Sequence, residues 1–310
     1  MLIYKISEEK LVESTFEEFV NNENDKHWIM MTPEELEEKN EVFCFNYQTV
    51  YDCLNNEDTP KLEVYENYIY GILNIVVPKD ILFSITELNF YISKNCLVFI
   101  SKNHLDIFRD IQNDIYNKGS VSLSLEKILC SLIDKMTIKD YNMLSNIEQD
   151  ISKVEEEVLQ GQTKDYAKDI VQLKNKLLFL KKHYEPLLGI VEDLAENENK
   201  VIEEKSLAYF VILFNRIERL NNKVSNLRDY VTQIRESYQA QLDINLNNTM
   251  KLLTVLTAVF SPLSLIVGWY GMNFSNMPEL QWRFGYLYII VLSTVVSIFC
   301  LWTFKKKKLW

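Results

Sequence analysis

The sequence predicts an α+β membrane protein. It begins with an N-terminal α/β cytoplasmic domain, followed by a long helical hairpin and a stalk helix that continues into the first of two C-terminal transmembrane helices. Three observations predict this fold class. Two long uncharged apolar runs close the chain, apolar residues recur at heptad spacing through its middle, and short strand-like runs fill its first third.

Charge is distributed unevenly along the 310 residues, whose formal net charge is −11. Residues 1–250 hold 27 basic and 43 acidic residues (−16), whereas residues 251–310 hold six basic residues and one acidic residue (+5). A body this acidic argues against nucleic acid as a partner, because phosphate contacts need a basic face. The sequence also lacks a phosphate loop, a G-x-S-x-G elbow and an HExxH motif, so no enzyme activity is expected.

Residues 1–138 are predicted to form the cytoplasmic α/β domain. Several short runs are rich in β-branched and aromatic residues, as strands are: MLIYKI, KHWIMMT, EVFCF, ENYIYGILNIVV, TELNFYIS and NCLVFIS. Lys94-Asn95 separates the last two runs and predicts a hairpin turn. From about residue 104 onward the pattern becomes helical.

Residues 139–200 are predicted to form an antiparallel helical hairpin. Apolar residues alternate steps of three and four on both sides of a break at residues 161–163. They are Leu144, Ile147, Ile151, Val154 and Val158, then Ile170, Leu173, Leu177, Leu180, Tyr184, Leu187, Val191 and Leu194.

Residues 201–250 are predicted to form a coiled-coil-like stalk helix. The same spacing continues through Leu213, Ile217, Leu220, Val224, Leu227, Val231, Ile234 and Tyr238. Neither Gly nor Pro interrupts residues 201–260, so the helix is expected to continue into the membrane. A lone helix cannot bury a sustained heptad seam, and the seam therefore predicts self-association.

Two transmembrane helices are predicted at residues 251–271 and 285–304. Their uncharged cores, Leu252–Tyr270 and Gly285–Phe304, match the roughly 20 helical residues that cross a bilayer. The alternative is a pair of buried core helices in a soluble protein. The loop 272–284 is too short for a domain, so both ends of the pair face one side of the membrane.

The orientation follows from the basic residues beside the two helices. Lys251 opens the first helix and the basic tail 305–310 follows the second, which places both termini in the cytoplasm. The sequence begins without an apolar signal segment that would contradict this orientation. The expected location is the cytoplasmic membrane, with the lipid bilayer as a partner.

Small and polar residues follow one face of the first transmembrane helix, again at steps of three and four. They are Asn247, Met250, Thr254, Thr257, Ser261, Ser264, Gly268 and Gly271. One interpretation is a helix-packing seam; the other is the lining of a water-filled pore shared by several copies. In the second case Leu253, beside Met250, is expected to gate the pore by dewetting. The uncharged cores Leu252–Tyr270 and Gly285–Phe304 contain no Asp, Glu, His, Lys or Arg, which favours a passive channel over a proton-coupled pump.

The end of the first transmembrane helix carries the motif Tyr270-Gly271-Met272-Asn273-Phe274, followed by Met-Pro-Glu-Leu at 277–280 and four lysines after the second helix. Together with the segment 247–254, this arrangement resembles the CorA family of magnesium channels. The resemblance implies a homopentamer with a cytoplasmic funnel. It also implies Mg²⁺ as the transported ion and as a possible regulatory ligand.

The resemblance further implies a site at the outer end of the pore. Residues 270–273 would form the selectivity motif, and Gly271 and Asn273 would hold a hydrated Mg²⁺ through neutral oxygen atoms. Glu279, repeated around the ring, would raise the local cation concentration.

One segment departs from the family pattern. In much of the family a Tyr-Phe pair on the stalk precedes aspartates that take part in magnesium sensing between subunits. Here Tyr209-Phe210 is followed by Val-Ile-Leu-Phe-Asn-Arg, without a carboxylate. We therefore expect gating to be less sensitive to cytosolic Mg²⁺ than is typical of the family, or to use other acidic residues.

Three functions remain open from the sequence: a channel for Mg²⁺ uptake, a transporter of Zn²⁺, Co²⁺ or Ni²⁺ with the same architecture, and a non-conducting membrane-anchored coiled-coil scaffold. The intact Gly-Met-Asn triplet favours the first over the second, and no His/Cys cluster near the transmembrane helices suits a soft metal. The polar face of the first transmembrane helix favours a channel over a scaffold.

Overall fold

The structure is a computed structural model of the chain. It describes residues 1–7, 10–22, 24–55, 59–79, 82–102, 105–118, 123–138, 140–160, 165–272, 277 and 282–306. The chain forms two compact units, the first made of Met1–Val154 with Ala167–Thr232, the second of Glu155–Tyr166 with Gln233–Trp310. The finer division at residues 138, 200 and 250 stays a prediction.

The first unit contains one mixed β-sheet. Its strands within the described residues are β1 Leu2–Ser7, β2 Lys10–Glu13, β3 His27–Met31, β4 Lys61–Val64, β5 Tyr68–Lys79, β6 Leu82–Ser93 and β7 Cys96–Ile100. They lie in the order β2-β1-β3-β7-β6-β5-β4, with β3 and β7 parallel and each other neighbouring pair antiparallel. Every residue of β3 and β7 is buried, as in strands covered on both faces.

The predicted hairpin at Lys94-Asn95 is confirmed. Strands β6 and β7 pair antiparallel on either side of it. The Ser93 hydroxyl accepts a hydrogen bond of 3.0 Å from the backbone N–H of Cys96, which closes the turn.

The prediction of a strand at EVFCF was wrong, because residues 41–43 are the last turn of a helix, Pro33–Phe43. Thr32 and Glu35 start this helix as a capping box, in which each side chain accepts from the other's backbone N–H. The helix ends at Cys44, whose φ of 54° is left-handed. The capping box and Pro33 at the first helical position therefore outweigh the strand-like composition of the run.

The helices of the described residues are α1 Phe16–Asn21, α2 Pro33–Phe43, α3 Tyr47–Asn55, α4 Asp106–Lys118, α5 Leu125–Thr137, α6 Asp140–Leu159, α7 Ala167–Glu196, α8 Glu204–Tyr270 and α9 Gly285–Lys306. The expected change to helix near residue 104 is confirmed by α4. The expected continuity of the stalk is confirmed too, because α8 is a single helix of 67 residues.

The heptad positions of α6, α7 and α8 form the helical core. Of the predicted apolar residues, those from Ile170 to Leu194 on α7 and from Leu213 to Ile234 on α8 are all at most 6% exposed. The inference that the α8 seam requires self-association was therefore wrong, since one chain buries these side chains by itself. The break at residues 161–163 lies outside the described residues.

A polar junction joins the helices of the first unit. The guanidinium of Arg216 on α8 pairs with the carboxylate of Asp134 on α5. On α7, the hydroxyl of Tyr184 donates a 2.7 Å hydrogen bond to Asp140, the first residue of α6. Burial raises the pKa of the Asp140 carboxyl to about 6, although the Tyr184 hydrogen bond and the Arg216 charge both act to lower it.

We predict that Asp140→Asn stabilises the protein at pH 7, by on the order of 2 kcal/mol. Asp140 ionises near pH 4 in the unfolded chain but only near pH 6 in the folded chain. The folded state therefore holds the extra proton between these values, and wild-type stability should fall as the pH rises from about 4 to 6. The variant should lack this fall, which thermal unfolding over that pH range would measure.

Asp150→Asn is the matched control, because Asp150 is an exposed carboxylate on the same helix. It should leave the melting temperature at pH 7 unchanged. A stability difference between wild type and Asp140→Asn that is the same at pH 4 and pH 7 would contradict the assignment.

Candidate ion pathway

The last part of α8 and the whole of α9 are long and apolar enough to cross a membrane. Only 6% of the apolar stretch of α8, and none of that of α9, is buried inside the chain. Two such helices cannot remain exposed to water, because their apolar surface far exceeds the patches that soluble proteins show. The alternative of two buried core helices is thereby excluded, and the two helices are transmembrane.

Each transmembrane helix has one face with reduced exposure. On α8 this face comprises Val255, Ala258, Val259, Pro262, Leu263, Ile266 and Tyr270; on α9 it comprises Gly285, Ile289, Leu292, Ser293, Val296, Ser297, Cys300, Thr303 and Phe304. Both sets follow helical spacing, and the connection between the helices is short. We infer that the two helices pack antiparallel along these faces.

The predicted polar face of α8 points elsewhere. Asn247, Met250, Thr254, Thr257, Ser261, Ser264 and Gly268 are all exposed. At 3.6 residues per turn, this set is centred roughly 140° around the helix from the face that packs against α9. The polar face is therefore not the packing seam within one chain. Two interpretations of the polar face remain: it contacts another copy of the chain, or it lines a water-filled path.

Two hydroxyl groups of the polar face are oriented by the helix itself. Thr254 donates a 2.7 Å hydrogen bond to the carbonyl of Met250, and Thr257 donates one of 2.8 Å to the carbonyl of Leu253. Each hydroxyl donates its single proton to a backbone carbonyl, so its oxygen can only accept hydrogen bonds from groups outside the helix. The face thus offers acceptors, which suit the outward-pointing hydrogens of a hydrated cation. Residue spacing alone predicted a polar face but did not show that its threonine hydroxyls act as hydrogen-bond acceptors.

The end of α8 lies at the predicted selectivity motif. The N–H of Gly271 donates a 2.9 Å hydrogen bond to the carbonyl oxygen of Val267. A Cβ atom on Gly271 would lie only 3.0 Å from that same oxygen, so any larger residue would crowd the last turn. Tyr270 is half-buried and Met272 is exposed. The other two predicted site residues, Asn273 and Glu279, lie outside the described residues.

The opposite end of the polar face carries the predicted gate. Met250 and Leu253 are 61% and 51% exposed, so a single chain leaves both apolar side chains uncovered. Their assignment as a constriction stays a prediction, because it depends on neighbouring copies.

The segment that departs from the family pattern is exposed on α8. Tyr209, Val211 and Ile212 are 41%, 47% and 63% exposed, and residues 206–217 contain no carboxylate. In the part of the chain that the structure describes, no group of three or more His, Cys, Asp or Glu side chains is placed to hold a metal ion. The exposed part of this segment therefore offers the apolar side chains of Val211 and Ile212 and no carboxylate.

These features define a class: a membrane protein with two transmembrane helices, a large mixed α/β part, and one uncharged polar face along a transmembrane helix. The profile described as CorA-like Mg²⁺ transporter protein matches residues 24–306. The chain therefore belongs to the CorA-like Mg²⁺ transporter family.

Individual relatives agree with this assignment. The chain is 29% identical over 289 residues to the cobalt/magnesium transport protein CorA of Thermotoga maritima, covering 91% of this chain and 82% of the relative. It is 25% identical to the magnesium transport protein CorA of Helicobacter pylori strain J99, covering 94% and 93%. The complete structure of the CorA magnesium transporter of Methanocaldococcus jannaschii superimposes with a TM-score of 0.80 at 20% identity, covering 98% and 97%, which shows the same fold.

Proposed function

We propose that this protein is a homopentameric channel that carries Mg²⁺ into the cytoplasm through the cytoplasmic membrane. The observation that carries the proposal is the exposed, uncharged polar face of α8, which lies away from the face packed against α9. In lipid, exposed hydroxyl and amide groups would lack water, so such a face favours a water-filled path. One copy cannot enclose a path, and several copies around an axis can. Five copies is the number that the family resemblance implies.

The chemistry of the face fits an ion that keeps its water shell. Mg²⁺ dehydrates reluctantly, so a path lined by neutral acceptors can pass it without replacing its ligands. The oriented hydroxyls of Thr254 and Thr257 are such acceptors. At the outer end, carbonyl oxygens near Gly271 and the amide of Asn273 would select the hydrated ion, and Glu279 would concentrate cations.

The competing functions differ in what they require. A transporter of softer metals would need a cluster of nitrogen or sulfur ligands along the path, whereas the polar face carries oxygen groups and a single thioether, that of Met250. Co²⁺ is the stronger alternative ion, because the Thermotoga relative is named for cobalt as well as magnesium. A scaffold would have no use for a continuous polar face in lipid.

We predict that Asn273→Ala abolishes Mg²⁺ uptake, because the variant loses the amide oxygen that accepts from the water shell of the ion. The measurement is Mg²⁺ flux into proteoliposomes of purified protein. Asn276→Ala, the same substitution three residues later in the loop, is the matched control and should retain uptake. Uptake at the wild-type rate by a correctly assembled Asn273→Ala protein would refute the filter assignment.

We predict that Leu253→Asn raises the ion leak, because a polar side chain wets an apolar constriction. Leu252→Asn is the matched control: Leu252 is equally exposed, at 54%, but lies about 100° around α8 from Leu253 and nearly opposite Met250. Single-channel or flux recordings should show a several-fold higher basal leak for the first variant only. Equal leak in both variants would remove Leu253 from the gate.

We predict weak inhibition of flux by internal Mg²⁺, because Tyr209, Val211 and Ile212 are exposed and residues 206–217 carry no carboxylate that could bind the ion. Flux should be recorded from proteoliposomes loaded with increasing Mg²⁺. A steep loss of flux that persists after the nearest acidic side chains on α8, Glu204 and Glu218, are changed to Gln would contradict this expectation.

A further inference from the structure

The two transmembrane helices carry lysines at the same end. From Lys251 to Tyr270, α8 rises about 30 Å, and the 22 residues of α9 rise about 33 Å. With the antiparallel packing inferred above, we infer that Lys251 lies level with Lys305 and Lys306. Lys251 is also four residues before Val255 and seven before Ala258, which places it on the α9 side of α8.

None of these three lysines is paired with a carboxylate within the part of the chain that the structure describes. The sequence 251–310 contains one acidic residue, Glu279, which belongs to the loop at the other end of the helix pair. Among the described residues, the basic end therefore has no carboxylate counter-ion, although residues 1–250 carry a net charge of −16.

An aromatic ring sits beside the lysines. The ammonium group of Lys306 lies 5.1 Å from the ring centre of Trp302, and that ring is 56% exposed. Exposed tryptophans of transmembrane helices lie at the level of the lipid headgroups. The Trp302 ring thereby holds a cation at the depth of the headgroup phosphates.

We propose that Lys251, Lys305, Lys306 and Trp302 form a binding site for the phosphate headgroup of an anionic phospholipid at the inner face of the membrane. The lipid phosphate supplies the negative charge that the described residues do not place beside these lysines, and each lysine near an anionic surface strengthens binding. Phospholipids without a net charge are expected to bind the site more weakly, because they do not supply a net negative charge to the lysines. The site goes beyond ion conduction, because it does not involve the polar face of α8.

The test is a titration of the full-length detergent-solubilised protein with phosphatidylglycerol, with bound lipid counted by native mass spectrometry and phosphatidylcholine as the neutral comparison. The variant Lys305→Gln/Lys306→Gln should bind phosphatidylglycerol about fivefold more weakly for each lysine removed. The Lys305→Arg/Lys306→Arg variant keeps both charges and should bind it as the wild type does. Should the double glutamine variant fail to insert, Lys251→Gln alone should still lose about fivefold in affinity.

Arg283→Gln is the matched control, because Arg283 is a basic residue at the other end of the helix pair. It should leave the affinity unchanged. Equal affinity of wild type and the lysine variants, or an equal loss in Arg283→Gln, would overturn the site. Displacement of phosphatidylglycerol by inorganic phosphate at equal concentration would overturn it too, since the site would then recognise a free anion. Because lipid binding is counted without ion flux, a failure here is distinguishable from a failure of the channel proposal.

Discussion

The structure depends on one constraint: polar groups inside a hydrocarbon layer need partners or water. Helix α8 remains helical to Tyr270, so its backbone groups bond to one another. The hydroxyls of Thr254 and Thr257 donate their protons to backbone carbonyls of the same helix. What stays unsatisfied are the acceptor lone pairs along one face. A cation with its water shell supplies the hydrogens that those acceptors need, and lipid does not.

The two halves of α8 share a spacing of three and four residues, but their faces pack against different surroundings. Between Leu213 and Ile234 the apolar face is buried within the chain, so this part needs no other copy. Beyond Lys251 one face has reduced exposure, on the side assigned to α9, and the polar face is left uncovered. In the proposed assembly, the surfaces left for contact between copies are the membrane part and the exposed apolar side chains near Ile212, and not the heptad seam.

Electrostatics divides the molecule in the same way. The acidic body contains a junction in which Asp140 is buried against Tyr184 and near Arg216, so part of its stability depends on pH. The membrane part is nearly free of charge except near Lys251, Lys305 and Lys306, which lack carboxylate partners among the described residues. An acidic surface attracts cations, and the three lysines form the binding site proposed for anionic lipid.

The sequence by itself determined features that depend on neighbouring residues. The lengths of the uncharged runs predicted both transmembrane helices, the lack of Gly and Pro predicted a continuous α8, and the Lys94-Asn95 turn predicted the β6–β7 hairpin. Only the tertiary structure decided what covers each face: that the α8 seam is buried within one chain, that β3 pairs in parallel with β7, and that Arg216 meets Asp134, 82 residues away. Periodicity states which residues share a face, but the partner of that face comes from distant segments, which local spacing does not encode. The run EVFCF shows that composition alone is also insufficient for a short segment. Its strand-like residues became helical because a helix had started several residues upstream, at Pro33.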